Sequence, residues 1–143
     1  MTAKEYLAEV RRLKYRCDAL KRESDELTEQ AVAIGAIRYD KDRIQVSPDN
    51  MLEKQVLRII KMREKYLRAV ARYQAEIIKR EAEIALLDRW EYEEILRLRY
   101  LSFLSFSRIA HEMGMSESHV KRLHGAALQV FSKVNHFPKD DTK

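Results

Sequence analysis

The chain has 143 residues, 36% of them charged and only 8% aromatic, with three Gly and two Pro. Such a composition suits long solvated helices and argues against a sheet protein. No apolar run approaches the roughly 18 residues of a membrane span and no signal peptide is read at the start, so no membrane association and a cytoplasmic location are expected. The single cysteine, Cys17, excludes an internal disulfide framework.

The first element is expected to run from about Thr2 or Ala3 to about Gly35. Val10, Leu13, Cys17, Leu20, Ser24, Leu27, Ala31 and Ile34 follow a 3-4-3-4 spacing, the a/d seam of a coiled coil. Gly35 is the expected stop. Ile37 to Asn50, with Ser47-Pro48-Asp49, reads as a loop feeding a new helix. That second helix is predicted from about Asp49 to about Asp88. Its seam is Leu52, Val56, Ile59, Arg63, Tyr66, Val70, Tyr73, Ile77, Arg80, Ile84 and Leu87, interrupted by Arg63 and Arg80. Two long amphipathic helices joined by one loop fold back most simply as an antiparallel hairpin. Their apolar stripes are too wide for one hairpin to cover, so a homodimer or small homo-oligomer is expected.

Charge is distributed unevenly. Residues 1–36 hold seven basic and seven acidic side chains, whereas Met51 to Arg72 holds seven basic residues against Glu53 and Glu64. The net charge of +5 therefore gathers on the second long helix, which reads as phosphate attraction, pairing with an acidic protein partner, or simply a solvated coiled-coil flank.

Trp90 to Leu101 forms a third helical element carrying Trp90, Ile95, Leu98 and Leu101. Phe106, Ile109, Ala110 and Met113 then fall on one helical face and end at Gly114, where a left-handed backbone is least costly. Ser116 stands where an N-cap belongs. Val120, Leu123, Ala127 and Phe131 make the apolar stripe of a last helix. A short helix, a tight Gly turn and a capped helix are the layout of a helix-turn-helix, whose second helix enters the DNA major groove. Ser118, Lys121, Arg122 and Gly125 point opposite that stripe, with Glu117 and His119 on its flanks.

The segment Leu98-Arg99-Tyr100 through Leu128 resembles region 4 of bacterial sigma-70-type factors. Nearly the whole chain is similar to small phage regulators of the ArpU and RinA type, through Tyr6-Leu7-Ala8-Glu9-Val10, Leu98-Arg99-Tyr100 and Arg122-Leu123-His124-Gly125-Ala126-Ala127-Leu128. The resemblance implies a bacterial host cell, promoter DNA as the partner and contact with host RNA polymerase. It would put base-reading side chains at Glu117, Ser118 and Arg122. Sigma factors commonly carry Arg-Glu-Arg after the cap where this chain has Glu117-Ser118-His119, which implies a different target sequence.

The expected fold is all-α, a long antiparallel helical hairpin followed by a small helix-turn-helix domain. The expected division is 1–88 for oligomerisation, 89–136 for DNA binding and 137–143 as a flexible tail. Double-stranded DNA is the expected ligand of Ser116, Glu117, Ser118, His119, Lys121 and Arg122. No catalytic, cofactor or metal site is expected: phosphate loop and nucleophile elbow are both missing, and His119 and His124 rotate to different faces of one helix. The expected function is regulation of transcription, as an activator of phage late genes. The alternatives are a phage small terminase subunit recognising a packaging site, and a coiled-coil adaptor that binds RNA polymerase rather than DNA.

Overall fold

The computed structural model describes residues 1–40 and 49–138, and every regular element among them is helical. Two long helices, α1 (Ala3–Asp40) and α2 (Asp49–Ile84), precede a small helical domain. That domain comprises α3 (Trp90–Leu96), a π-helical turn (Arg97–Leu101), α4 (Phe106–Met113) and α5 (Glu117–Val134). The fold is all-α. The expected loop around Ser47-Pro48 and the tail beyond residue 138 lie outside the described residues.

A reciprocal capping box starts α1: Thr2 Oγ1 accepts from the Glu5 N–H at 3.2 Å, and Glu5 Oε2 accepts from the Thr2 N–H at 2.8 Å. The helix does not stop at Gly35 but continues to Asp40. Gly35 has no positive φ, so it is tolerated as an ordinary helical residue rather than used as a left-handed cap. At the other boundary, α2 ends at Ile84, four residues before the expected Asp88.

The chain divides into two compact units, and both long helices contribute to each. Unit 1 combines Met1–Leu13 with Tyr73–Lys143, so the boundary expected near residue 88 falls inside it. Its main core gathers Ala3 and Leu7 of α1, Ile84 and Leu87 at the end of α2, Leu96 and Tyr100, and Ala127 and Phe131 of α5. A second cluster, Ile95, Ile109, Ala110 and Val120, holds the helix-turn-helix together. Trp90, one of the apolar residues read on the third element, is 64% exposed. As the first residue of α3 it precedes the turn that Ile95 and Leu96 bury.

Arg80, expected only to interrupt a seam, is a fully buried side chain of unit 1. Its Nε and Nη2 donate to the Tyr6 carbonyl at 3.0 and 2.9 Å, and Nη1 pairs with the Glu76 carboxylate. Glu9 lies 3.4 Å from Nη2, and the guanidinium packs 4.0 Å over the Tyr6 ring. A buried cation persists only when paired and hydrogen-bonded in this way. Tyr6 in turn donates from its hydroxyl to Glu83 at 2.9 Å. Burial and that carboxylate hold the phenol well above its ordinary titration range.

Unit 2, Lys14–Arg72, is built differently. On α1 the expected seam is buried at Cys17, Leu20 and Ser24 and half-buried at Leu27. On α2 the seam residues Ile59, Tyr66 and Val70 are half-buried, while Leu52 and Val56 remain exposed. Leu57, Ile60 and Leu67 are exposed as well.

Candidate nucleic-acid interface

Backbone hydrogen bonds fix the corner between α4 and α5. Ser105 caps α4, its hydroxyl accepting from the Arg108 N–H at 3.2 Å. At the other end Gly114 adopts φ 64° and ψ 36°, the left-handed region. The Met115 N–H donates to the Ala110 carbonyl at 3.0 Å and the Gly114 N–H to the His111 carbonyl at 3.4 Å. Those two bonds form a Schellman closure, which requires a residue that tolerates positive φ at this point. Met115 then packs on the cluster containing Ala110. Ser116 caps α5, accepting from the His119 N–H at 3.2 Å.

These caps orient α5. Val120, Ala127 and Phe131 are fully buried on one side. Glu117, Ser118, His119, Lys121, Arg122 and Gly125 are all exposed, as is the cap residue Ser116. Lys121 pairs with Glu117 at 3.5 Å across one helical turn, and Arg122 Nη2 lies 3.5 Å from His119 Nδ1. Such exposed contacts contribute little to stability and leave both cations available to a ligand in water. The six residues singled out from sequence therefore share one solvent-facing surface, with Ser116 engaged as the cap. A Cβ built on Gly125 would meet nothing within 4 Å. Packing within the chain does not demand that glycine.

Residues 92–131, from α3 through most of α5, match the family model described as Sigma-70, region 4. The chain carries a sigma-70 region 4 domain. No curated protein and no solved structure matches the chain. Region 4 is a DNA-binding helix-turn-helix domain typical of transcription regulators. Both long helices lie outside the match.

Behind the exposed face of α5, the region 4 domain is braced by a polar contact that sequence reasoning missed. His124, on the inner flank of α5, is buried, and its Nε2 shares a 2.8 Å hydrogen bond with the Tyr100 hydroxyl. The Phe106 ring meets the imidazole edge-on at 4.9 Å. Burial, aided by the charges of Arg99 and Lys4, lowers the His124 pKa to about 4, so the ring is neutral near pH 7. Burial raises Tyr100 to about 12. The signal available beforehand was that Tyr100 and His124 both belong to the short segments on which the sequence resemblance was read.

The π-helical turn places Tyr100. Its closing bond runs from the Ser102 N–H to the Arg97 carbonyl at 3.1 Å, and single π turns of this kind are frequent at functional sites. Phe103 follows with φ 60°, a left-handed conformation that costs a bulky residue about 1–3 kcal/mol. Arg99 bridges the bend, donating from Nη1 to the Leu104 carbonyl at 3.0 Å while its guanidinium lies 4.2 Å over the Phe106 ring. Among the described residues no three His, Cys, Asp or Glu gather as a metal ion would require. No helix among them is long and apolar enough to cross a membrane.

Proposed function

We propose that this protein is a sequence-specific DNA-binding transcription regulator, of the phage type that activates late genes in a bacterial host. The observation that carries the reading is the exposed row Glu117, Ser118, Lys121, Arg122 on α5, held outward by the Gly114 closure and the Ser116 cap. Arg122 and Ser118 lie one turn apart near the start of the helix, within reach of base edges. A guanidinium that binds guanine bidentately supplies about 1–3 kcal/mol of discrimination. Lys121 supplies charge to a phosphate.

Arg122→Ala should therefore lower affinity for the specific site and leave scrambled DNA nearly unaffected. Lys121→Ala should weaken both alike and reduce the salt dependence. Equal losses on both DNAs for Arg122→Ala would assign that residue to the backbone and remove it from base readout.

A two-fold dimer through the long helices accompanies this reading, because paired half-sites match a symmetric protein. The exposed Leu57, Ile60 and Leu67 of α2 support it. A ring of many copies in light scattering would favour the terminase alternative. Contact with host RNA polymerase is supported by the apolar residues Leu86 and Trp90, 60% and 64% exposed just before the region 4 match. Those two side chains face water with no base-reading chemistry to offer, and a protein surface would cover them.

A further inference from the structure

Lys4, Ala8 and Arg11 follow one another at i, i+4 and i+7, which places them on one face of α1. Within unit 1 that face borders a recess of about 180 Å³, completed by Arg99, Tyr100, Phe103, Phe106 and His124. Three cations and three aromatic rings thus surround one small space, and no carboxylate among the described residues lines it. The acids on this part of α1 serve elsewhere: Glu5 accepts from the Thr2 N–H, and Glu9 reaches Arg80.

The positive charge is concentrated. Both Arg99 and Lys4 act on His124, whose imidazole stays neutral beside them. Arg99 is already positioned by Phe106 and the Leu104 carbonyl, so a ligand would not have to order it. Small Ala8 leaves the space between Lys4 and Arg11 open. The strained Phe103 backbone and the π-helical turn, both unneeded for a plain helical corner, form the opposite wall.

Size narrows the occupant. An apolar cavity of about 150 Å³ accommodates benzene, whereas drug-sized ligands occupy roughly 300–1,000 Å³. This recess therefore takes one compact group. Guanidinium and ammonium donors select an oxyanion, and phosphate suits the arginine fork best. Aromatic walls tolerate an attached ring.

We propose that this recess binds a phosphoryl group, supplied either by the DNA backbone beside the recognition helix or by a free nucleoside monophosphate. Only the DNA source rests on the regulator reading.

The test uses the full-length protein and the double variant Lys4→Gln/Arg11→Gln, both exposed side chains outside the region 4 match. Lys21→Gln/Arg22→Gln, which removes equal charge from α1 outside the recess, is the control. If the phosphate is DNA's, the log K against log salt slope should fall by about two units in the first variant and stay unchanged in the control, with sequence preference retained. If the source is a free nucleotide, calorimetry with AMP should show saturable one-to-one binding, weakened at least tenfold in the first variant, while the DNA slope holds. Inorganic phosphate competing with AMP would place the phosphoryl group in the recess. An unchanged DNA slope together with no AMP or phosphate binding overturns the proposal, as does an equal loss of slope in the control. Wild-type protein that binds no DNA would instead overturn the regulator reading, and the AMP titration would then decide the recess by itself.

Discussion

The two units of this chain solve burial in opposite ways. Unit 1 closes on itself: Leu7, Ile84, Ile95, Leu96, Val120 and Phe131 are almost wholly buried, and Arg80 and His124 come inside with their own hydrogen-bonding partners. Unit 2 buries a single strip of α1 and leaves Leu52, Val56, Leu57, Ile60 and Leu67 of α2 in water. One unit has enough core to specify a rigid surface. The other leaves apolar area of α2 facing water, as the proposed assembly role would require.

The strongest test of unit 1's self-sufficiency is Arg80→Ala. It would remove both donors from the Tyr6 carbonyl and leave Glu9 and Glu76 without their buried cation. Breaking such a pair costs about 3–5 kcal/mol, measurable as a shifted urea midpoint. Arg63→Ala, at an exposed seam position of unit 2, should change stability by less than about 0.5 kcal/mol. Comparable losses at the two sites would erase the distinction.

His124 sharpens the same comparison through pH. Its pKa is near 4 when folded and about 6.5 when unfolded, so the unfolded state binds the extra proton. The stability tied to its neutrality is complete above pH 6.5 and is lost progressively as pH falls towards 4, by about 3 kcal/mol in all at 1.36 kcal/mol per unit. His124→Gln should flatten that part of the pH profile in urea titrations. A variant that follows the wild-type profile throughout would show that the imidazole is not the group responsible.

For the proposed dimer of unit 2, Leu67→Glu should raise the dissociation constant by at least about a hundredfold, because burying one leucine contributes about 1.5–3 kcal/mol and the two-fold doubles each change. Sedimentation would show this at micromolar protein. Wild-type protein that remains a 17 kDa monomer would remove the assembly role from this face.

The smallest expected effect lies on α5. Gly125→Ala should stabilise the free protein by about 0.5–1 kcal/mol, because the site is helical and open. The added methyl should at the same time weaken DNA binding, as it would stand on the proposed recognition surface. Greater stability with unchanged affinity would move the DNA contact nearer the start of the helix.

The helix-turn-helix was legible because its rules are local. Gly114 and Ser116 each act on residues within five positions, and the apolar spacing of α4 and α5 names the buried face directly. The seam of α1 was readable for the same reason. Arg80 was not, since its partner carbonyl belongs to Tyr6, 74 positions away, and periodicity alone marks such a residue as an interruption. Gly35 misled because the same residue serves as a cap or as a plain helical position, and only φ decides. Trp90 begins its helix as read, but spacing does not show whether the first turn of a helix packs against the core. The Lys4, Arg11 and Arg99 recess joins α1 to a π turn, a geometry that a 3.6-residue period does not encode.

The meeting of Ala3 and Leu7 with Ala127 and Phe131 in one core also sets an order of events during synthesis. During synthesis α1 cannot finish burying its apolar face until α5 has followed. Contacts of such sequence separation slow folding and leave early segments exposed to aggregation. The reciprocal cap at Thr2 and Glu5 would keep that waiting segment helical, so what remains is a docking step rather than a search through unfolded conformations.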